Sequence, residues 1–312
     1  MHRASLIYNP AAGRFPSRLL ADRVIKLLDR EGWNVSLESS SSGEHISELA
    51  RQAAQNGKDA VFVMGGDGSL NHAIKGLLNT STALGVLPAG TANVWAQEIG
   101  LPTMNWTRWD VLRESISYLA RGQVLPVDIG LCNGYPFLLW AGIGLDGYIV
   151  NRIEPRNRWA KSIAIVHYGA SAIWYARQWH GLKLHVEIDG KPINGHYLLA
   201  LASNIRLYAG GLIHLVGEKY LDDGLMDLWL LAGENFVDTL QRVWDLFMGK
   251  VDRSEEILRF QFKHLTLECD SPLFVQLDGE PLQIYGKVEI RLLPKGLNVL
   301  VPSNFLGGRA HQ

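Results

Sequence analysis

The sequence predicts an α/β N-terminal domain with a parallel sheet, followed by a mainly antiparallel β domain. Three observations carry that reading. Short apolar runs alternate with apolar stripes of helical period up to residue 125. From residue 126 onward, period-two alternation and Asp-Gly turn signals take over. The length, 312 residues, exceeds one small core, so two domains are expected, 1–125 and 126–295, with 296–312 able to return to the first.

Residues 4–8 read as the first strand, closed by Asn9-Pro10-Ala11-Ala12-Gly13. Pro16 falls near a helix start, where a missing N–H costs little, and Leu19, Leu20, Val24, Leu27 and Leu28 give that helix its stripe before Gly32 ends it. A second strand is expected over 33–37. The run Ser39, Ser40, Ser41, Ser42 precedes a helix carrying Ile46, Leu49, Ala53 and Ala54, which Gly57 ends. Residues 61–64 form a short buried strand that Gly65-Gly66-Asp67-Gly68 stops. From about residue 69 a helix follows with Leu70, Ile74, Leu77 and Leu78 on one face. A strand over 84–87 closes with Pro88-Ala89-Gly90-Thr91-Ala92-Asn93, and helices are expected over 91–99 and 106–121. Such alternation gathers the loops at the carboxyl edge of a parallel sheet, where ligands bind.

In the second half, strands are expected over 182–188, 197–202, 225–231, 257–267, 273–277, 281–284 and 288–293, with one helix at 236–248. The segment 297–301 reads as a strand of either domain. Between the domains, 152–179 joins Arg152, Arg156, Arg158 and Lys161 to a helix-like stretch with Trp159, Trp174 and Trp179. A packed helix with a solvated end and a basic flank resting on an anionic membrane both account for it.

Apolar residues make up 47% and charged residues 20%, a globular composition, and a net charge of −1 provides no basic field for nucleic acid. Cys132 and Cys269 form no CxxC and read as small apolar residues in a reducing compartment. No secretory h-region and no run of about 18 apolar residues occurs. The expected location is cytoplasmic, with any lipid approached from the water side. Ten tryptophans suit core and pocket packing as well as interfacial anchoring.

The glycine loop at 65–68 is where chemistry concentrates. Glycines let the backbone adopt positive φ and let another molecule approach, and free N–H groups at a helix start favour an anion, phosphate above all. Asp67 in their midst would be repelled by phosphate unless a cation lay between, which points to a nucleotide with Mg²⁺. The competing reading is an ordinary tight βα turn. Gly142-Ile143-Gly144-Leu145-Asp146-Gly147 has dinucleotide-loop spacing, but the helix behind it is short and His167, about twenty residues on, is no ribose-binding acid. A glycine-rich packing turn is the better reading.

Asp278-Gly279-Glu280 sits between two expected strands, and Asp189-Gly190-Lys191 is an internal control of the same shape. The difference is Glu280 in place of Lys191. Two carboxylates on a tight turn can take a proton from a hydroxyl nucleophile or hold Mg²⁺. Tyr220-Leu221-Asp222-Asp223-Gly224-Leu225-Met226-Asp227 offers acids and carbonyls to a hard cation, or is a turn with solvated acids. No GxxxxGK[ST], GxSxG or HExxH occurs, which argues against P-loop, hydrolase and metalloprotease chemistry. His72 and the other histidines are read as structural.

Taken in order, Asn9 through Gly13, Gly65-Gly66-Asp67-Gly68-Ser69 with Asn71, Leu87 through Asn93, Gly142 through Asp146, Asp222-Asp223-Gly224 with Asp227, and Asp278-Gly279-Glu280 resemble the diacylglycerol-kinase catalytic-domain family. That family includes bacterial soluble lipid kinases and the sphingosine and ceramide kinases. GGDG alone is shared with NAD kinases and phosphofructokinases; the ordered set is specific. The resemblance implies an α/β nucleotide domain and a C-terminal β-sandwich lipid-substrate domain, with the active site in the cleft between. It implies ATP held by Asn9, Pro10, Ala11, Ala12 and Gly13, by Ser39 or Ser40, by Gly65, Gly66, Asp67, Gly68, Ser69, Leu70 and Asn71, and by Thr91. It suggests a structural Mg²⁺ on Asp223 with the carbonyls of Tyr220 and Leu225, and makes Glu280 the proton acceptor, assisted by Asp278, with Asp67 in the catalytic set.

Two departures stand out. Ser69 replaces the usual threonine, and Val94-Trp95 replaces the Asp-Phe of many members, removing a carboxylate near the cleft. The implied reaction is ATP-dependent phosphorylation of a lipid hydroxyl, diacylglycerol-like. The implied partner is the lipid substrate; a peripheral membrane surface and a homodimer stay open. An NAD-kinase-like enzyme with a soluble substrate and a non-catalytic lipid-binding protein are the competing readings. The acids at 222–227 and the Asp-Gly-Glu turn argue against the first, the intact carboxylates against the second.

Overall fold

In the computed structural model, residues 2–10, 18–102, 110–153, 174, 177–215, 220–247 and 256–305 are described. The strands β3 (Ala60–Gly65) and β4 (Ala83–Pro88) are buried at every position. Runs of Val, Phe, Met and Leu without a polar face demand the centre of a parallel sheet covered on both sides. Beside them lie β1 (His2–Tyr8) and β2 (Trp33–Ser39), all parallel, in the order β4-β3-β1-β2. The chain runs from β1 outward to β2 and returns to β3 on the other side. The loops after β1 and β3 therefore flank a topological switch point, where such sheets open a crevice.

The covering helices follow their stripes. Helix α1 (Arg18–Arg30) buries Ala21, Val24 and Leu28. Helix α2 (Gly43–Gln55) buries Ile46, Ala50 and Ala53, and Ser42 caps it by accepting the His45 N–H. Helix α3 (Asp67–Leu77) begins at Asp67, two residues earlier than expected, and buries Leu70, Ile74 and Leu77. Helix α4 (Val94–Glu98) is shorter than 91–99 because Asn93 holds φ at 52°, a left-handed conformation that stops the helix from extending backward. Helix α5 (Val111–Ala120) covers the described part of the helix expected over 106–121; residues 106–109 lie outside the described residues.

The remaining elements are β5 (Gln123–Cys132), β6 (Tyr135–Phe137), β7 (Trp140–Gly144), α6 (Leu145–Ile153), β8 (Leu182–Ile188), β9 (Lys191–Ser203), β10 (Leu207–Tyr208), β11 (Ile213–His214), β12 (Met226–Ala232), α7 (Phe236–Phe247), β13 (Ile257–Phe262), β14 (His264–Glu268), β15 (Leu273–Leu277), β16 (Glu280–Ile284) and β17 (Val288–Val301). Their mutual pairings are antiparallel. This C-terminal half is a mainly antiparallel β-sandwich, with Phe137, Val186, Leu228, Phe262, Leu265, Val275 and Ile290 in its core.

Three features differ from expectation. The strand expected over 257–267 divides at Lys263: β13 pairs β12, whereas β14 pairs β8 and β17. The Asp189 carboxylate accepts the Lys263 and His264 N–H groups and pins that corner. The segments 288–293 and 297–301 are one strand, β17, continuous through a register shift between Leu293 and Leu297, where Pro294 cannot donate to the ladder. Strand β5 escaped the sequence reading; its backbone runs straight through residue 126, with Pro126 facing outward.

Strand β17 pairs with β14 and β5 and, at Val299 opposite Leu84, with β4. Both halves thus share one hydrogen-bonded strand network. A second tie is Glu98, buried at the end of α4. It accepts the Arg206 Nε–H at 2.9 Å and the Arg206 and Leu207 backbone N–H groups at 3.2 Å each. Most of 152–179 lies outside the described residues; Trp179 is buried and donates its indole N–H to Leu198. Among the described residues no helix is long and apolar enough to cross a membrane.

Candidate active site

The loops after β3 and β4 interlock through their glycines. A Cβ on Gly90 would stand 2.5 Å from the Gly66 Cα, and one on Gly66 3.1 Å from the Gly90 Cα. Neither loop can approach the other with a side chain in the way. The Ala89 N–H donates to the Gly65 carbonyl at 3.0 Å, and Asn93 closes its own loop by accepting the Gly90 N–H at 2.9 Å. Gly66 caps α3 without a side-chain partner at the carboxyl edge of the sheet, and its carbonyl accepts the Ser69 N–H at 3.0 Å.

Asp67 is engaged by backbone donors of the neighbouring loop. Its two carboxylate oxygens accept the Val94 N–H at 3.0 Å and the Trp95 N–H at 3.1 Å. A buried carboxylate must find donors, and the start of α4 supplies them. Burial pushes its pKa up, against the lowering effect of these amides. The side chain is thus a tether between the two glycine loops. Val94 and Trp95 are buried and offer Asp67 their backbone.

The Asp-Gly-Glu turn meets this assembly from the other half. Asp278 and Gly279 have φ of 51° and 85°, the paired positive values of a tight hairpin turn. The buried Asp278 carboxylate accepts the N–H groups of Leu138 (2.9 Å), Leu139 (2.8 Å) and Trp140 (3.1 Å), and the Asn71 side-chain amide of α3 (3.0 Å). Desolvation pushes its pKa up to about 6, the four donors opposing. Glu280 opens β16 on the exposed side, with Oε1 3.1 Å from the point a Cβ on Gly68 would occupy. The two turns therefore adjoin, and Asp67 and Asp278 face one closely packed gap with Leu70, Trp95 and Leu139. The control turn at Asp189 shares the backbone conformation, with φ of 47° and 83°. It too clamps neighbouring amides, but at the surface. Burial against α3 is what distinguishes the second copy.

The acidic turn is held by its own backbone and by a neighbouring cation. Asp223 accepts the Leu225 N–H at 3.0 Å, and Asp227 pairs with Arg259 at 3.1 Å. Among the described residues no three His, Cys, Asp or Glu side chains converge on a common point. The turn is anchored by Asp128, which the sequence reading missed. Buried in β5, it accepts the Gly224 N–H at 2.6 Å and the Lys295 N–H at 2.8 Å. An acid inside the apolar run Leu125-Pro126-Val127-Asp128-Ile129 was the available signal, since unpaired acids are almost never buried.

The other expected residues are dispersed along the carboxyl edge. Asn9 and Pro10 follow β1, whereas Ala11, Ala12 and Gly13 lie outside the described residues. Thr91 is exposed in the loop after β4 and Ser39 is exposed at the end of β2. Ser40 turns inward: its hydroxyl donates to the Tyr8 carbonyl at 3.2 Å, so it is engaged by the backbone. The Ser69 Oγ fills the space that a Gly65 Cβ would need. The His72 ring likewise occupies the space beside Gly43 that a Cβ would take, in keeping with a structural histidine. The glycines of 142–147 serve packing, as the Cβ of a residue at 147 would meet the Phe274 carbonyl at 2.3 Å.

Both halves of the chain are similar to known proteins. Residues 3–132 match the family model described as diacylglycerol kinase catalytic domain. Residues 141–301 match that of the YegS C-terminal NAD kinase beta sandwich-like domain. A diacylglycerol kinase of Bacillus subtilis (strain 168) is 26% identical, the match covering 90% of this chain and 90% of that protein. One of Mycobacterium tuberculosis (strain H37Rv) is 28% identical over 96% of this chain and 95% of its own length. A solved diacylglycerol kinase structure from Bacillus anthracis str. Sterne shares the fold with a TM-score of 0.74 at 20% identity, covering 98% of each chain.

Proposed function

Because the chain belongs to the diacylglycerol kinase catalytic-domain family, we propose that it transfers the γ-phosphoryl group of ATP to the hydroxyl of a diacylglycerol-like lipid. It is a phosphotransferase with an alcohol acceptor, as its relatives are by name. The observation that carries the reading is the meeting of two turns. Glu280 Oε1 abuts Gly68 at the start of α3, and Asn71 bridges to Asp278 across the same junction.

The residues present suit a nucleotide. An N-terminus without a side-chain cap, at the carboxyl edge of a parallel sheet and beside a switch point, presents N–H donors and the positive end of a helix dipole to an anion. In this reading Gly65 through Asn71 receive the phosphates, and Asn9 through Gly13, Ser39 and Thr91 line the rest of the cleft. The bound nucleotide supplies the phosphoryl group. Glu280 accepts the proton of the lipid hydroxyl, Asp278 locks the turn that carries it, and Asp67 acts as a positioning residue for the 88–93 loop. Phosphoryl transfer needs little covalent work from the protein, so placement of these groups is the main contribution. A structural Mg²⁺ would be held by Asp223 and the carbonyls of Tyr220 and Leu225; Asp223 also accepts the Leu225 N–H, and the ion would brace this turn, so no step of the transfer is assigned to it.

The test is transfer of labelled γ-phosphate from ATP to a total lipid extract, with NAD and sugars as parallel acceptors. Label in a lipid of diacylglycerol type supports the proposal, and label confined to the soluble acceptors overturns it. Glu280→Gln is expected to keep nucleotide binding and to lower turnover by at least about 10²-fold, the lower end of what a positioned base supplies.

A further inference from the structure

The glycine-rich run at 142–147 makes room for a buried polar chain that ends on the Asp-Gly-Glu turn. A Cβ on Gly142 would stand 2.0 Å from Asp146 Oδ2 and 2.7 Å from Gln276 Nε2. With no side chain there, Asp146 in the first turn of α6 accepts the Gln276 Nε2–H at 2.7 Å. The Tyr208 hydroxyl hydrogen-bonds the same carboxylate. Gln276, 1% exposed in β15, accepts the Gly279 N–H on its Oε1 at 2.7 Å. Gly279 lies between Asp278 and Glu280.

The direction of the chain is forced. A backbone N–H can only donate, so Gln276 must present its oxygen to Gly279 and its amino group to Asp146. In a two-residue hairpin turn the second peptide N–H otherwise points at solvent. In the control turn the residue that corresponds to Gln276, Glu187, is exposed. Only the turn bearing Glu280 has a buried carboxamide holding its middle peptide.

We infer that Gln276 and Asp146 are positioning residues for Glu280. They hold the Gly279 peptide in one orientation, and with it the direction in which Glu280 leaves the turn toward Gly68. This rests on the reading of Glu280 as the proton acceptor.

The experiment compares Gln276→Met, Gln276→Glu, Glu280→Gln, Gln276→Met in the Glu280→Gln background, and the swapped pair Asp146→Asn with Gln276→Glu. Each is checked for folding by circular dichroism and assayed for phosphate transfer to lipid. Gln276→Met is expected to lower kcat by about 10²-fold, the cost of a misplaced reacting group, with KM for ATP unchanged within about twofold. Gln276→Glu sets two carboxylates face to face and loses activity likewise. The swapped pair restores a donor opposite an acceptor at both junctions and recovers most of the kcat. In the Glu280→Gln background, Gln276→Met adds nothing further, because both act through one group. A folded Gln276→Met enzyme at the wild-type kcat, beside a slow Glu280→Gln enzyme, overturns the inference alone. A swapped pair no faster than Gln276→Glu does the same. A Glu280→Gln enzyme at the wild-type rate removes the proton-acceptor reading and the inference with it.

Discussion

Asp278 receives four donors and is buried, which sets two forces against each other. The donors favour the carboxylate and desolvation favours the acid; desolvation is larger, and the pKa rises from 3.8 to about 6. A raised carboxylate pKa means that the folded state binds a proton more tightly than the unfolded chain. Stability from this group is therefore fully present below about pH 4 and is lost as pH rises through 6, by about 3 kcal/mol. Urea unfolding of the wild-type protein and of Asp278→Asn between pH 4 and 7 is expected to show the wild type losing stability relative to the variant across that window. A difference that stays level with pH would refute this account. Asp67 bears a structural load of the same kind. Asp67→Ala would leave the Val94 and Trp95 N–H groups without their acceptor, at about 1–3 kcal/mol each, and is expected to lower the urea midpoint together with the affinity for ATP.

Among the elements, the strand–loop–helix units of the first half owe their contact to the absence of side chains. Gly66 and Gly90 touch backbone to backbone, so Gly90→Ala must push the two loops apart. A destabilisation of about 1–3 kcal/mol is expected from overpacking of this kind, with ATP affinity falling more than the folding free energy. Unchanged nucleotide binding in that variant, measured by calorimetry, would show that the loops do not form the site together. The paired Asp-Gly turns make a related point. Both are legible from sequence as hairpins, and both use the aspartate to clamp backbone amides. What separates them is the neighbour: α3 stands over one, and solvent over the other.

Across the whole molecule, β17 binds the β-sandwich to the parallel sheet, and Glu98 fastens α4 to β10. A strand network shared by both halves predicts one cooperative thermal transition, with far-ultraviolet and tryptophan signals coincident; two separated transitions would contradict it. Sequence alone determined the elements whose cause is local. The apolar runs of β3 and β4, the stripes of α1 to α3, the two Asp-Gly turns and the order of the six family motifs are all set by residues within one segment. Tertiary structure alone decided what depends on groups far apart in the chain. It turned Asp67 toward Val94 and Trp95, set Asn71 against Asp278, buried Asp128 beneath Gly224, and joined Gln276 to Asp146. The physical reason is that a buried polar group takes whatever donor or acceptor the fold brings to it, and no periodicity in the chain encodes that partner.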